Sequence, residues 1–290
     1  MKFSSLLVTG ALTCAAIAPA RAATLKVWPA NPQPGDVLTV TVYPAAGETI
    51  EGVGMAAFDT DAIKFYGRDG GVVRGFVGFP FDRQAGLFPL RARVMVNGKE
   101  QILSASVTAR KRYFPTQRIT MSNKGTASKM HATDKLRAEK VYVQSKMKDS
   151  YAAPLWSGNW LMPVSGSSSS GYGRKRYVNG KWWGQHNGSD IKAPTGRTVI
   201  ASNSGRVAMS AYLPALRGNC VVIDHGCNVY SIYMHLSERA VSEGDSVGKG
   251  QKIGEVGATG FVTGPHLHFE TRIGWEPVDP MKVVSGGIKF

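Results

Sequence analysis

The sequence predicts a mainly β protein that comprises an N-terminal immunoglobulin-like β-sandwich, a basic linker with a short helix, and a C-terminal antiparallel β domain. Three observations support this fold class. Apolar and polar residues alternate with a period of two in many short segments, as in half-buried strands. The 34 glycines and 15 prolines suit frequent turns. The chain has 290 residues, of which 43% are hydrophobic, and this is enough for two packed cores.

The first 22 residues have the features of a secretory signal peptide. A lysine at position 2 precedes an apolar run at 6–18, and small residues surround the expected cleavage point after Ala22. The run is too short to span a membrane, and no later segment approaches the ~20 apolar residues that a spanning helix needs. We therefore expect an exported protein, periplasmic or secreted, that loses Cys14 with its leader.

Residues 23–112 are predicted to form the β-sandwich. The alternation of Leu38, Val40 and Val42 with polar neighbours is repeated in two later segments, and it indicates antiparallel strands. Turn signals separate the strands, and Asn97-Gly98 is typical of a two-residue hairpin. A sandwich of about seven strands is the natural packing for such a pattern. This region contains no recognisable catalytic group.

The linker, residues 113–157, lies in the most basic part of the chain. Residues 109–148 contain eleven Lys and Arg against two acidic residues, and the whole chain carries a formal charge of +15. Such a surface attracts polyanions, which for an exported protein are cell-wall polymers, anionic lipid head groups or extracellular nucleic acid. We expect anionic cell-wall polymers rather than nucleic acid, and a solvated connector without a partner is the alternative. A helix is predicted over 133–148, with a narrow apolar stripe that packs on a domain rather than on a membrane. His131 is expected to be a surface residue.

Residues 158–290 are predicted to form an antiparallel β core with loops that carry a cleft. The serine run 165–170 suggests flexible polar chain that leads into a basic turn at 171–176. The aromatic and basic groups of this turn and of Trp182 and Trp183 suggest one wall of a substrate groove, although the tryptophan pair could equally reflect simple packing. Five short strands are expected, at 197–201, 206–210, 221–224, 229–234 and 251–255.

Two cysteines remain after export, Cys220 and Cys227. An oxidising compartment permits a disulfide, but the predicted hairpin between them would hold their α-carbons beyond the ~7 Å limit for bridging. The pattern leaves both states open. His225, at the turn of this hairpin, is expected to be a polar turn residue rather than a ligand.

Several histidines and one aspartate have the spacing of a metal site with acid/base partners. On a strand, His266 and His268 project from the same face about 6.5 Å apart, so that one could bind metal while the other transfers a proton. Upstream, His186 and Asp190 are separated by three residues that include a glycine. Together with one of the later histidines they would make three protein ligands, the number typical of a catalytic zinc site. His235, at the end of an apolar strand, is a further acid/base candidate.

These motifs resemble those of the lysostaphin-type zinc endopeptidases, the LytM-like and β-lytic peptidoglycan hydrolases. The order and approximate spacing agree over residues 158–281 for four motifs: His186-x-x-x-Asp190, Tyr233-x-His235-Leu236, Val247 to Gly254, and Gly264-Pro265-His266-Leu267-His268.

The resemblance implies a division of roles. His186, Asp190 and His268 would hold one zinc ion, and His235 and His266 would be catalytic. Tyr177 lies where a tyrosine of some relatives helps to stabilise the transition state. None of the five principal positions departs from the pattern.

The resemblance also implies a function: a secreted zinc-dependent endopeptidase that hydrolyses cross-links or stem peptides of bacterial peptidoglycan. The main alternative is a non-catalytic cell-wall-binding activator of another hydrolase. Two further alternatives are weaker. For a lipoyl-carrier-like barrel, the sequence lacks an acceptor lysine at a hairpin tip. For an exported nucleic-acid binder, the basic linker is the only support. The sequence does not indicate an oligomeric state.

Overall fold

The structure is a computed structural model that describes residues 22–58, 63–67, 69–120 and 133–288. The predicted signal peptide with Cys14, and His131, lie outside the described residues, so those interpretations stay predictions. The described residues form mainly antiparallel sheets with short helices, which confirms the mainly β fold class. None of these helices is long and apolar enough to cross a membrane.

The N-terminal region consists of two antiparallel sheets around one core. Its elements are β1 (Thr24–Trp28), β2 (Val37–Tyr43), β3 (Ile50–Gly54), β4 (Phe65–Gly67), a 3₁₀ turn (Asp69–Gly71), β5 (Val73–Gly78), β6 (Gly86–Val96) and β7 (Lys99–Ala109). One sheet has the order β1-β2-β5-β4 and the other β3-β6-β7. The predicted inward residues Leu38, Val40 and Val42 are fully buried between them. The specific likeness to immunoglobulin domains stays a prediction.

The hairpin between β6 and β7 turns at Asn97-Gly98, as predicted. Both residues have positive φ angles, 48° and 71°, the left-handed conformation that a type I′ turn requires. Asparagine and glycine tolerate it best, so the local sequence fixes the register of the two longest strands of this region.

The linker pairs with and packs against the C-terminal domain. It contains β8 (Thr116–Ile119), which pairs in parallel with a strand of that domain, and α1 (Thr133–Ser145). The predicted helix is confirmed, although it ends three residues before Lys148. Val143 and Met147 are buried in a cluster with apolar residues of the C-terminal sheet.

The C-terminal domain contains β9 (Ser167–Ser170), β10 (Lys175–Val178), β11 (Lys181–Gln185), β12 (Ser189–Lys192), β13 (Thr198–Ile200), β14 (Gly205–Leu213), β15 (Gly218–Asp224), β16 (Val229–Arg239), β17 (Ser246–Val247), β18 (Lys252–Val256), β19 (Leu267–Ile273), β20 (Glu276–Val278) and α2 (Pro280–Gly286). The main sheet has the order β17-β14-β15-β16-β19-β12-β9. A smaller sheet, β11-β10-β8, includes the linker strand. The five strands that the sequence predicted are all present.

One local prediction differs from the structure. The serine run forms strand β9, which pairs with β12, because the backbone groups of a polar segment can complete a sheet edge whatever its side chains. His225 lies at the predicted turn but is fully buried, and its ring bonds Ser204 O at 2.8 Å and Ser231 Oγ at 2.7 Å. Cys220 and Cys227 are both buried, and neither forms a disulfide within the described residues.

The two folded regions share an apolar cluster. Tyr66 and Phe76 of the N-terminal sheets pack with Trp156 and with apolar residues near the C-terminus. The rings of Phe76 and Trp156 lie 5.9 Å apart, edge to face. At the edge of this interface Arg112 forms an ion pair with Asp279, the N-cap of α2. The linker and the interface therefore fix the N-terminal region against the C-terminal domain.

Candidate metal centre

Strand register places three donor residues side by side. Asp190 on β12 lies directly opposite His268 on β19, its neighbour in the sheet. His186 is the first residue after β11, and Gly188 permits the connection to pass close to β19: a Cβ at Gly188 would lie 2.3 Å from the Phe269 carbonyl oxygen. This short connection places His186 Nε2 3.0 Å from Asp190 Oδ1.

The donor atoms of these three residues converge on one point. His186 Nε2 and His268 Nδ1 are 3.0 Å apart, and Asp190 Oδ1 lies 3.0 Å from the first and 2.8 Å from the second. All three residues are buried. The structure thus joins one histidine of the later pair to the upstream motif, in the arrangement that could hold a metal ion.

Outer hydrogen bonds orient both rings with their lone pairs towards that point. The opposite nitrogen of His186, Nδ1, lies 3.0 Å from the Gly171 carbonyl oxygen. The opposite nitrogen of His268, Nε2, lies 2.9 Å from Glu270 Oε1. A carbonyl and a carboxylate only accept, so each outer nitrogen carries the hydrogen. In the neutral rings, the inner nitrogens then present lone pairs beside the Asp190 oxygen, an arrangement that a cation stabilises.

The charge around the group also favours a cation. Burial alone would lower the pKa of His268, but Asp190 and Glu270 outweigh it and raise this pKa to about 9. Burial alone would raise the pKa of Asp190, but hydrogen bonds from His186 and His268 hold it below its usual range. Two ionised carboxylates in a buried site attract a proton or a metal ion.

His235 and His266 lie beside the group with a similar orientation. Nδ1 of His235 lies 3.0 Å from the Thr259 carbonyl oxygen, and Nδ1 of His266 lies 2.8 Å from that of Gly264. Each Nδ1 therefore donates, and each Nε2 is left to accept a proton. The two rings are 5.0 Å apart, and His266 Nε2 is 3.7 Å from Asp190 Oδ1. Burial, followed by the nearby His268 and His266, lowers the pKa of His235 to about 3.

Residues 184–280, which include all five of these side chains, match the sequence profile of peptidase family M23. The C-terminal domain belongs to peptidase family M23. It is 46% identical over 97 residues to the peptidoglycan DD-endopeptidase ShyA of Vibrio cholerae, a match that covers 33% of this chain and 22% of ShyA. It is 41% identical over 115 residues to the DD-carboxypeptidase/endopeptidase Mpg of Neisseria meningitidis, which covers 40% of this chain and 26% of Mpg.

The matched segment spans only about a quarter of the length of these relatives. A wider likeness is found in a crystal structure from Pseudomonas aeruginosa that is assigned to peptidase M23. It covers 89% of this chain and 96% of that chain, with a TM-score of 0.60 and 22% identity. At this identity the likeness concerns the fold alone, and it extends beyond the M23 domain.

A cleft of about 210 Å³ opens over the donor group of the M23 domain. Trp183 and Phe261 line it together, with ring centroids 6.2 Å apart, while Trp182 is 55% exposed. The adjacent tryptophans thus separate into one that lines the cleft and one that does not. Gln117 and Ile119 of the linker strand β8 also line the cleft.

Tyr177 does not line this cleft. Its ring packs edge to face against Trp182, with centroids 5.4 Å apart, and lies under the Arg118 guanidinium. Side chains alternate along strand β10, and Arg176 is the residue that enters the cleft. The geometry does not support a role for Tyr177 at the donor group.

Sequence reasoning missed Glu270 and Gln117, and it placed Arg176 in a basic groove wall without its contact to Asp190. Glu270 bonds His268, Arg176 bonds Asp190, and Gln117 bonds Arg176. A signal for Glu270 is visible in the sequence: at two residues from His268 on a strand, it must share its face. Gln117 is distant in sequence from the motifs, and only the pairing of β8 with β10 brings it beside Arg176.

Proposed function

We propose that the chain is an exported, zinc-dependent endopeptidase that cleaves peptides of bacterial peptidoglycan. The observation that carries the proposal is the convergence of His186 Nε2, His268 Nδ1 and Asp190 Oδ1, with both rings oriented by outer acceptors. Two nitrogens and one carboxylate oxygen are suitable ligands for one zinc ion, and a set of three leaves a position for water or substrate.

The residues present fit this metal. Zinc in such a site supplies Lewis acidity, because it polarises a carbonyl group and lowers the pKa of water. His186, Asp190 and His268 would hold it. The hydrogen bond from His268 to Glu270 would fix the tautomer and strengthen the ligand, as carboxylate partners of histidine ligands do.

His235 and His266 supply the acid/base chemistry in this proposal. Both are held as Nδ1–H tautomers by backbone carbonyls, so Nε2 of each can accept a proton from water and later return it to the leaving amine. Once protonated, either ring could also stabilise the oxyanion of the tetrahedral intermediate. The low pKa of His235 keeps its ring neutral before the reaction.

The substrate class is supported by the names of the relatives, which are peptidoglycan DD-endopeptidases and a DD-carboxypeptidase/endopeptidase. A peptide of the cell wall lies outside the cytoplasm, and the predicted signal peptide agrees with that place of action. The same proposal has three further parts: the basic linker attracts anionic wall polymers, the protein is periplasmic or secreted, and each chain uses one zinc ion.

The test is digestion of purified peptidoglycan, with the metal content measured on the same preparation. We expect one zinc per chain and release of soluble muropeptides with a cleaved peptide, both lost after chelation and restored by added zinc. His186→Ala and Asp190→Ala should abolish the release. Continued digestion by both variants would overturn the proposal.

The alternative of a non-catalytic activator is less well supported. All five side chains of the site are present and oriented, whereas an activator needs no metal ligands. Zinc-independent stimulation of a second hydrolase, without any digestion by the purified chain, would favour it.

A further inference from the structure

Arg176 is a charged residue of the cleft wall that contacts a candidate metal ligand. Its Nη2 donates to Asp190 Oδ2 at 2.8 Å and to Ser170 Oγ at 3.1 Å. Its Nε donates to Gln117 Oε1 at 3.2 Å. The side chains of Arg176 and Asp190 are only 15% and 11% exposed, so water screens this ion pair weakly.

Gln117 comes from the linker rather than from the M23 domain. In the parallel pairing of β8 with β10, Gln117 lies directly beside Arg176, and Arg118 lies beside Tyr177. Alternation then places Gln117 in the cleft with Arg176, while Arg118 lies on the outer face, over the Tyr177 ring. The linker strand thus adds one support to the guanidinium that contacts Asp190.

The two oxygens of Asp190 are divided between different partners. Oδ1 faces both histidines of the donor group, and Oδ2 accepts from Arg176. A free carboxylate can give a metal either one oxygen or two. A guanidinium that is itself held at Nε occupies the second oxygen with a directed, charge-assisted hydrogen bond.

We propose that Arg176, supported by Gln117 of the linker strand, is a positioning residue that reserves Oδ2 of Asp190 and presents Oδ1 alone to the metal. A one-oxygen ligand leaves a coordination position open for water or substrate, which a two-oxygen ligand would fill. The linker is therefore part of the active site in addition to its role as a connector. This inference rests on the proposed function, because it takes His186, Asp190 and His268 as the ligands.

The experiment uses the full chain loaded with cobalt(II) and, separately, with zinc. Visible absorption of cobalt(II) is strong in a four-coordinate site and weakens as the coordination number rises, and competition with a chelator gives the zinc affinity. Arg176→Ala should weaken the cobalt bands and lower the zinc affinity by about tenfold, the effect typical of removing a residue that orients metal ligands. Gln117→Ala should act in the same direction with a smaller change.

Two further variants test whether the geometry of the Arg176 guanidinium matters beyond its charge, and whether a change on strand β8 alone has an effect. Arg176→Lys keeps the charge, but one ammonium cannot reproduce the planar fork that bonds Asp190 and Gln117 together, so it should resemble Arg176→Ala. Arg118 lies next to Gln117 on β8 but on the opposite face, so Arg118→Ala should match the unmodified chain in both measurements.

The outcomes distinguish this inference from the proposed function. Metal binding by the unmodified chain, with identical spectra and affinities in Arg176→Ala and Gln117→Ala, would overturn the inference and leave the function standing. A lysine variant equal to the unmodified chain would also overturn it, since charge alone would then suffice. Absence of metal binding by the unmodified chain would overturn the metal site and this inference with it. If Arg176→Ala does not fold, the Gln117→Ala result decides.

Discussion

At the scale of single residues, the site is organised by hydrogen bonds that face away from the reaction. Four histidines bond an outer acceptor, which is a backbone carbonyl for three of them and Glu270 for His268. Each bond fixes which nitrogen carries the hydrogen, and so which nitrogen is basic. The same residue type can therefore serve as a ligand or as an acid/base group, according to the direction of its free nitrogen.

The first prediction separates these two roles within one strand motif. His268→Ala should lose both zinc and peptidoglycan hydrolysis, because Nδ1 of His268 lies in the donor group. His266→Ala should retain zinc and lose hydrolysis, because its Nε2 lies beside the group, 3.7 Å from Asp190 Oδ1. Metal analysis after dialysis and a muropeptide assay measure the two properties. Equal loss of metal in both variants would refute this division.

The second prediction concerns Glu270. Glu270→Gln keeps the shape and an acceptor for His268 Nε2–H but removes the charge, so zinc affinity should fall by about tenfold. A chelator competition measures it, and Glu243→Gln, at an exposed carboxylate paired with Lys146, is the matched control. Affinity equal to that of the unmodified chain would show that the charge of Glu270 does not strengthen the ligand.

The two segments that hold the candidate ligands could be predicted from sequence because the spacing within each is local, whereas the choice of His268 over His266 followed from the family resemblance. His186 with Asp190, and His266 with His268, each lie within one short segment, and the structure brings the two segments together. The contact of Arg176 with Asp190 could not be found in this way, since it depends on a bulged register between β10 and β11 and on pairing with a distant strand. Tyr177 was chosen for its position in the sequence, and alternation along β10 turns it to the other face.

At the scale of elements, hydrophobic periodicity predicted those strands and helices that bury only one face. The strands of the N-terminal sheets and helix α1 follow the expected periods, because one face of each meets a core. Strand β9 gave no such signal: three of its four serines are exposed, and backbone pairing with β12 alone makes it a strand. Hydrophobic periodicity therefore cannot predict polar edge strands of this kind.

The third prediction tests how α1 and the residues after it are attached to the M23 domain. Met147 is 6% exposed and packs with apolar residues of the main sheet, so Met147→Ala should lower the free energy of unfolding by about 2–3 kcal/mol. Val141, on the opposite side of the helix, is 57% exposed, and Val141→Ala should change it by less than about 0.5 kcal/mol. Denaturant unfolding measures both. Similar losses in the two variants would contradict the packing described above.

At the scale of the whole molecule, the interface that joins the N-terminal region to the M23 domain contains a partly buried carboxyl group. Glu276, on β20, packs against Gly78 of β5, where an added Cβ would lie 2.8 Å from Glu276 Cγ. The charged groups that influence it are Arg272, Asp82 and Arg83. Burial, reinforced by Asp82, outweighs the two arginines and raises the pKa of Glu276 from 4.5 to about 7.

This interface should make stability fall as pH rises from about 5 to about 8. The folded chain binds the Glu276 proton more tightly than the unfolded chain, so its contribution is complete below the unfolded pKa of 4.5 and is lost as pH passes the folded value of about 7. With allowance for partial exposure, we expect a loss of about 1–2 kcal/mol over this range. Glu276→Gln cannot ionise, so subtracting its unfolding free energies from those of the unmodified chain at both pH values isolates this one group. A difference that does not change with pH, or that changes in favour of the unmodified chain at high pH, would show that the carboxyl is ionised within the interface without cost.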